Sequence, residues 1–355
     1  MSIFTKSKHD SFRPIKTMGD DDELYEYSES DLERFMNEAR ALVIAAAELI
    51  KDGMGKTKAI SQVDLKDFNV SEGNASAVLT ETDIAVEKLI VDGLKKVFPD
   101  HCFIGEEGIG AEFPGKVIFN VNLNKLVMKK INDLLHVKLE RSLSIITILQ
   151  LPMNAYTNKP TWIIDPIDGT MNFVHSNPLV VTSVGLAINK KLVLGIINAP
   201  IINHMYTAIK GQGAFMNGER IKTSGVKKLK EALVIMEISV GGNERKKNCC
   251  LANIAMLSEK AHAVRCPGPA ALDIAWVGGG SADAYFHSGF HCWDMAAGIV
   301  IVKEAGGAVY SVNGEQPDLM SRGILVAASE ELALELSKSI DVYSVDPEYP
   351  LPCPV

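Results

Sequence analysis

The stretch "WIIDPIDGTMNFVH", residues 162–175, ends a hydrophobic run on two aspartates. Asp165 and Asp168 lie three residues apart, and Gly169 and Thr170 follow directly. Two carboxylates held in one turn repel each other, so a fold that ends a buried strand here must supply something that cancels their charge. The backbone N–H groups of Gly169 and Thr170, at the start of the next turn or helix, suit a phosphate group.

Helical and strand-like patterns alternate along the rest of the chain. Apolar periodicity predicts helices over residues 30–51, from near Thr82 to before Pro99, over 270–277, over 292–304 and from Ser329 onward. Ser30 and Glu33 have the spacing of a capping box for the first of these. Strand-like runs are "CFIGEEG", "TWIID", "VVTSVGLAI", "LVLGIINAP" and "HMYTAI", and "NKK" and "KGQGAFMNGERI" are typical of hairpin turns. The alternation predicts an α/β fold of layered helices and sheets.

Composition sets broad limits on the class of protein. The 355 residues, 47% of them apolar, suffice for one large domain or two smaller ones, and a net charge of −8 argues against nucleic-acid or acidic-membrane partners. None of the six cysteines has CxxC spacing, so a disulfide framework or zinc knuckle is not expected. No apolar run is long enough to cross a bilayer, and the first residues lack the apolar core of a signal peptide. We expect a cytoplasmic protein with a disordered N-terminal tail over 1–28.

Acidic residues interrupt apolar patterns in four places along the chain. They are Asp83 in "LTETD", the pair Glu106-Glu107 in "FIGEEG", Asp165 with Asp168, and Asp294 in "HCWDMAAG". Each taken alone has an ordinary explanation: an Asx turn or helix cap, a solvated acidic face, or a core tryptophan beside a capping aspartate. Brought together, they require a hard cation with oxygen ligands, and Mg²⁺ is the usual one.

The order of these acids resembles the inositol monophosphatase family, within the Mg²⁺-dependent, lithium-sensitive phosphatase superfamily. The family pattern D…EE…DP(I/L)D(G/S)T…WDxxA is matched by Asp83, Glu106-Glu107, "DPIDGT" and "WDMA", and similar text continues through "NFVH", "GAFMNGERI", "ADAYF" and "KEAGG". The resemblance implies a layered α-β-α-β-α sandwich of the inositol monophosphatase and fructose-1,6-bisphosphatase type. It also implies a phosphatase domain over 29–342, a C-terminal tail over 343–355, a homodimer and a small phosphorylated substrate.

The resemblance also implies roles for particular residues. Glu106, Asp165 and the carbonyl of Ile167 would hold a first Mg²⁺; Asp165, Asp168 and Asp294 a second; and Glu107 a weaker third through water. The attacking water would lie beside Glu106 and Thr170, with Asp83 orienting the Thr170 hydroxyl. The residues expected against the substrate are Glu106, Ile167, Asp168, Gly169, Thr170, Gly268, Pro269, Ala270, His287 and Asp294.

The substrate-facing positions depart from the family pattern. His287 stands seven residues before Asp294, where the family usually has a glutamate that contacts inositol hydroxyls, and a surface histidine without function is the alternative explanation. Pro269 replaces a small hydroxyl residue, which removes a backbone donor and a hydroxyl together. Met171 replaces a common threonine, and no basic residue precedes "TETD" in the usual way. These changes weaken the case for an inositol phosphate but leave the predicted metal site complete.

Residues 116–150 differ from the chain around them. They contain six Lys or Arg against two Asp or Glu, a net charge of +4, and they fall where the family has only a short loop. The segment opens at "GK" and closes at "ILQ", which GGTAAG and ATTTTACAG can encode, and both resemble splice sites. We interpret the segment as translated non-coding sequence; a lineage-specific loop or lid is the alternative.

The sequence therefore predicts a Mg²⁺-dependent phosphomonoesterase, with inositol 1-phosphate as the first substrate to consider. The alternatives are the same catalytic core acting on another small substrate, such as a nucleotide bisphosphate or a sugar phosphate, and a non-catalytic paralogue or defective product.

Overall fold

The computed structural model describes residues 14–15, 24–54, 81–108, 156–238, 243–345 and 347. The segment 116–150, the C-terminal tail beyond these ranges and most of the predicted N-terminal tail lie outside the described residues. Within that N-terminal part, β1 (Pro14–Ile15) pairs antiparallel with β2 (Leu24–Tyr25). The backbone of Tyr25 exchanges two 2.9 Å hydrogen bonds with the Asn189 side chain, so this point of the chain is tied to the domain.

A seven-stranded sheet forms the larger half of the fold. Its strands lie side by side in chain order, and only β3 and β4 pair in parallel. They are β3 (Cys102–Gly105), β4 (Thr161–Asp168), β5 (Val181–Ile188), β6 (Lys191–Ala199), β7 (His204–Ile209), β8 (Gly213–Met216) and β9 (Glu219–Ile221). All eight residues of β4 and of β5 are buried, because helices cover both faces of the sheet at these strands. A short helix, α3 (Thr170–Val174), follows β4 directly.

Two long helices cover the outer face of this sheet. They are α1 (Glu29–Met54) and α2 (Glu81–Val97), and their apolar stripes share one core with β4, β5 and β6. The predicted capping box at Ser30 is wrong by two residues. Ser28 and Asp31 form it instead, because the Asp31 carboxylate accepts from the Ser28 backbone N–H at 2.8 Å and the Ser28 hydroxyl accepts from the Asp31 N–H at 3.2 Å.

A five-stranded sheet forms the second half. It contains β10 (Leu233–Met236), β11 (Ala263–Arg265), β12 (Ala284–Ser288), β13 (Ala308–Tyr310) and β14 (Gly323–Ala327), in the spatial order β11-β10-β12-β14-β13. Two helices, α4 (Glu244–Lys260) and α7 (Glu330–Ser337), pack on its outer face in a shared apolar core. The cap of α7 is Ser329, whose hydroxyl accepts the Leu332 N–H, so the helix begins where the sequence predicts it.

The layer between the sheets consists of α5 (Ala270–Gly278) and α6 (Cys292–Glu304). Small residues allow α6 to approach the larger sheet closely: a β-carbon on Gly185 of β5 would lie 2.9 Å from the Ala296 side chain. The order of layers is therefore α1/α2, the large sheet, α5/α6, the small sheet, and α4/α7. This confirms the predicted α-β-α-β-α sandwich.

Two details differ from the sequence-based expectations. The stretch 210–221 is more than a turn, since it contains β8 and β9. Cys102 forms a disulfide bond, whereas Cys249, Cys250, Cys266 and Cys292 are free thiols. As to membrane spans, none of the helices in the described residues combines the length and the apolar character that a span requires.

Candidate metal and active site

The end of β4 places two carboxylates on the same edge of the large sheet. Asp165 pairs with Ser183 of β5 and Asp168 with Val181, and the register shifts between these two pairs. The irregularity is stabilised by the buried Thr182 hydroxyl, which donates to the carbonyl of Pro166 at 2.9 Å. An irregular strand end of this kind redirects side chains, so two aspartates three residues apart can meet.

A third aspartate arrives from α6. Ligand oxygens of Asp165, Asp168 and Asp294 lie within 4.8 Å of one another. Asp294 is oriented by the first turn of α6, where its Oδ2 accepts the backbone N–H of His291 at 2.6 Å. The Ser183 hydroxyl donates to the carbonyl of Trp293 at 3.0 Å and fixes this turn against β5.

The turn after β3 brings the two glutamates to the same place. The carboxyl group of Glu106 hydrogen-bonds to that of Asp165 and lies near Asp294, and Glu107 is next to Asp83. Asp83 itself is buried at the start of α2, within electrostatic range of Glu106. The structure therefore brings the predicted acids of all four segments together.

These acids cannot all carry a charge without a counter-ion. Burial, with the nearby Asp294 carboxylate, raises the pKa of Glu106 to about 9. Burial also raises the pKa of Glu107 to about 7, with further repulsion from Asp83. The pKa values of Asp165 and Asp168 are raised well above their usual range, chiefly by burial. Bound cations offset the free-energy cost of ionising these buried acids, because they stabilise the ionised carboxylates.

The donor set fits a hard divalent cation. Oδ1 of Asp165 is buried with no hydrogen-bond partner among the described residues, which is costly unless the oxygen is a ligand. The carbonyl of Ile167 accepts a 3.2 Å hydrogen bond from the Thr170 hydroxyl and lies between the two aspartates in the chain. Carboxylate and carbonyl oxygens without sulfur or imidazole ligands favour Mg²⁺ over zinc or copper.

The loop before α5 contacts Asp168 directly. Oδ2 of Asp168 accepts the backbone N–H of Ala271 at 2.6 Å, and the N–H of Ala270 also bonds to this carboxylate. Gly169 has a left-handed backbone with φ of 89°, and a β-carbon there would lie 3.2 Å from the Pro269 ring. The loop residues expected to contact substrate thus lie against the carboxylate cluster.

His287 lies further out, behind a tyrosine. Its Nδ1 is 3.1 Å from the Tyr285 hydroxyl, and its Nε2 is buried with no partner among the described residues. Burial, with the nearby Lys246 charge, lowers the pKa of His287 to about 3, so the imidazole is neutral at physiological pH. His287 is therefore a partly exposed residue whose ring nitrogen is buried, and its role stays a prediction.

Four polar residues near the site were not identified from the sequence. Glu87 of α2 is buried, and its Oε2 accepts the Glu107 N–H at 2.9 Å. It lies four residues after Asp83, on the same face of the helix, and this spacing is the sequence feature that could have identified it. Asn172 donates to the carbonyls of Leu179 at 2.8 Å and Pro267 at 3.0 Å, so it holds the loop before α5 in place.

The other two form a buried acidic pair beside the cluster. Glu237 follows β10 and Asp273 lies in α5, and their carboxyl groups lie close to each other and to Asp168. Both oxygens of Asp273 are buried with no hydrogen-bond partner among the described residues, and burial raises the pKa of both acids. Nothing in the spacing of two acids 36 residues apart pointed to this contact.

Comparison with known proteins agrees with the geometry. The model of the inositol monophosphatase family matches residues 31–341. Inositol monophosphatase 1 of Homo sapiens is 34% identical over 305 residues, covering 86% of this chain and 91% of the relative. Inositol monophosphatase 2 of Mus musculus is 35% identical over 300 residues, covering 84% and 87%.

Solved structures show the same architecture. The Thermotoga maritima inositol monophosphatase superimposes with a TM-score of 0.61 at 26% identity, covering 86% of this chain and 96% of that one. The fold, the acidic cluster and the relatives agree. The chain belongs to the inositol monophosphatase family and is a phosphomonoesterase of that family with a candidate acidic metal site.

Proposed function

We propose that this protein is a Mg²⁺-dependent phosphatase that hydrolyses inositol 1-phosphate to inositol and phosphate. The observation that supports this best is the meeting of Asp165, Asp168 and Asp294 within 4.8 Å, with Oδ1 of Asp165 buried and unpartnered among the described residues. A buried group of acids with an unpartnered oxygen is costly in a structural role, and it is the normal environment of a metal ligand.

The resemblance to the family assigns the ligands, and the meeting of the acids supports that assignment. Asp165, Glu106 and the Ile167 carbonyl would hold one Mg²⁺, and Asp165, Asp168 and Asp294 would hold a second. Glu107 would support a third, weaker ion through water. When bound, the ions supply an activated water and neutralise charge on the attacking and leaving oxygens.

Side chains and backbone groups of the protein position the attacking water and the phosphate. Glu106 and Thr170 would orient the attacking water. The resemblance assigns Asp83 to orient the Thr170 hydroxyl, which in the structure donates to the Ile167 carbonyl. The N–H groups of Gly169 and Thr170 bind the phosphate that is transferred. Gly268, Pro269, Ala270 and His287 face the leaving group.

A phosphate-release assay tests this proposal. Inositol 1-phosphate, a sugar phosphate and a nucleotide bisphosphate are each incubated with the protein in Mg²⁺ and in EDTA. The proposal expects release from inositol 1-phosphate that requires Mg²⁺. Release at equal rates in EDTA, or no release from any of the three, would contradict it.

The substituted substrate-facing residues keep a second candidate open. Pro269 lacks a hydroxyl, and neutral His287 cannot accept two hydroxyl hydrogen bonds as a carboxylate does. The same metal site would then act on a nucleotide bisphosphate or a sugar phosphate. The complete acid set speaks against a non-catalytic protein.

Assembly and location are part of the same proposal. We infer a cytoplasmic homodimer, on the strength of family membership alone. Light scattering of the purified protein, giving the mass of two chains of 38.5 kDa or of one, tests the dimer.

A further inference from the structure

A cleft lies at the C-terminal end of α6, whereas the candidate metal ligand Asp294 lies in the first turn of that helix. The volume of the cleft is about 590 Å³, within the range of small-molecule sites. Its lining comes from the turn between β5 and β6, the residue after β7, the last turns of α6 and the loop 317–319. Lys303, in this lining, follows Asp294 by nine residues, or about 14 Å along the helix axis. The cleft is therefore separate from the candidate active site.

Four lysines line this space, which we call the lysine cleft: Lys190, Lys191, Lys210 and Lys303. None of the four forms an ion pair in the part of the chain that the structure describes, where the ion pairs found involve other lysines. Burial lowers the pKa of Lys303, and the nearby Lys210 charge lowers it further. Two neighbouring ammonium groups repel each other, and an anion bound between them would remove that repulsion.

The two acids of the lining already accept hydrogen bonds from the backbone. Glu304 accepts the Gly211 N–H with Oε1 and the Gly213 N–H with Oε2, both at 2.8 Å. Oδ1 of Asp318 accepts the Met320 N–H at 2.9 Å. Four positive charges against two negative ones leave the lining with a net charge of +2, which favours an anionic ligand.

One of the lysines has a backbone conformation that suits glycine. Asn189 and Lys190 form the two-residue turn between β5 and β6, with φ of 53° and 58°. Turns with two left-handed residues prefer Asn followed by Gly, because a β-carbon is unfavourable at the second position. Asn189 matches this preference and Lys190 does not. Backbone strain of this kind is typical of positions where the side chain has a function.

The rest of the lining is largely apolar. Leu192, Leu319 and Tyr156 are partly exposed there, and Ile299 and Val300 contribute from α6. A ligand that fills the cleft therefore needs an apolar part to cover these side chains and an anionic part for the lysines. A planar ring attached to a chain of phosphate groups combines the two.

We propose that the lysine cleft binds a nucleoside diphosphate, with the phosphate groups against the lysines and the base against the apolar lining. The ammonium groups supply charge-assisted hydrogen bonds to the phosphate oxygens. This goes beyond the proposed function, because the nucleotide is a ligand of a separate cleft and not the substrate of the acidic cluster.

Calorimetric titration in EDTA tests this with three probes: ADP, adenosine and pyrophosphate. EDTA prevents turnover, and the metal-free acidic cluster repels phosphate groups, so that binding reports the lysine cleft. We expect ADP to bind at least about tenfold more tightly than adenosine or pyrophosphate, because only ADP has both parts. Absence of ADP binding would overturn the inference, and so would equal affinities for ADP and either of the other probes.

Alanine variants locate the bound nucleotide. K210A and K303A should each weaken ADP binding by about tenfold, because each removes a charge-assisted hydrogen bond. K247A, which changes an exposed lysine of α4, is the matched control and should bind ADP as wild type does. ADP affinities of K210A and K303A equal to that of wild type would overturn the inference. Both variants should keep wild-type phosphate release from inositol 1-phosphate, so this result is independent of the proposed function.

K190G separates binding from folding. Glycine suits the left-handed turn, so the Tm of K190G should be higher than that of wild type, while its ADP affinity should fall by about tenfold. A loss of affinity in a more stable variant is not a consequence of unfolding. Wild-type ADP affinity in K190G would contradict the placement of the phosphate groups at this turn.

Discussion

Oδ2 of Asp168 accepts a 2.6 Å hydrogen bond from the backbone N–H of Ala271, so the N-terminus of α5 holds a carboxylate of the candidate metal site. The helix dipole and the second N–H, from Ala270, favour the ionised form of Asp168 against the burial that opposes it. The position of Asp168 therefore depends on the loop that leads into α5.

Asn172 is expected to act on catalysis through that loop. In N172A, the carbonyls of Leu179 and Pro267 lose their 2.8 and 3.0 Å donors, and the loop and the α5 amides can shift away from Asp168. Two lost hydrogen bonds of about 1 kcal/mol each, about 2 kcal/mol together, predict a fall in kcat/KM of up to about thirtyfold. Steady-state kinetics at saturating Mg²⁺ measures it, with N248A on the exposed face of α4 as control. Unchanged kinetics for N172A would show that the loop is held without it.

The stability of the metal-free protein should fall as pH rises. Glu107 has an ordinary pKa of 4.5 that is raised to about 7 by burial and by Asp83. Because this pKa is raised, the folded protein binds more protons than the unfolded chain between pH 4.5 and pH 7. The free energy of unfolding is therefore highest below pH 4.5 and decreases as the pH rises through about 7. Glu106, with a pKa of about 9, extends the loss to higher pH.

Thermal unfolding in EDTA and in Mg²⁺ checks this. We expect Mg²⁺ to raise Tm more at pH 8 than at pH 5. At pH 8 more of the buried carboxylates are ionised, and bound cations stabilise that ionised form. E107Q should show a smaller pH dependence in EDTA than wild type. A Tm of the metal-free protein that rises between pH 5 and pH 8 would contradict the assignment.

The sequence contained most of the site and part of the fold. Asp165 and Asp168 were predictable because two carboxylates at the end of a buried strand repel each other and need a compensating positive charge. The other acids of the cluster were identified through the ordered pattern of the family. The strands of the smaller sheet were not predicted, since short runs such as Ala263–Arg265 carry too little periodicity. Contacts such as Glu237 with Asp273 depend on how two elements pack, which no local pattern records.

Lithium should inhibit the enzyme at millimolar concentration. Asp168 and Asp294 belong to the candidate metal cluster, and the resemblance to the lithium-sensitive superfamily suggests uncompetitive inhibition. Phosphate release is measured in LiCl, with KCl at equal concentration as the control for ionic strength. Turnover that is the same in both salts would count against a lithium-accessible site there.

H287E should raise activity on a substrate with a neutral polyol leaving group. A glutamate at this position supplies two acceptors for hydroxyl groups, each worth about 1 kcal/mol, where neutral His287 supplies fewer. We therefore expect kcat/KM for inositol 1-phosphate to rise. H287Q, which is uncharged, is the matched comparison. An H287E variant equal to or worse than wild type on inositol 1-phosphate would show that His287 does not set this preference.

Turnover of D165N at saturating Mg²⁺ tests the central claim most directly. Asp165 is fully buried, hydrogen-bonds to Glu106 and shares a candidate metal site with Asp168 and Asp294. An amide of the same shape removes a negative charge that the proposed Mg²⁺ site would require, so phosphate release should fall by at least about a thousandfold, or about 4 kcal/mol. The variant should stay folded, with a metal-free Tm at or above that of wild type, because repulsion in the cluster decreases. D92N, which changes an exposed aspartate of α2 that pairs with Lys88, should retain full activity. Near-wild-type phosphate release by folded D165N would contradict the assignment of this cluster as the catalytic metal site.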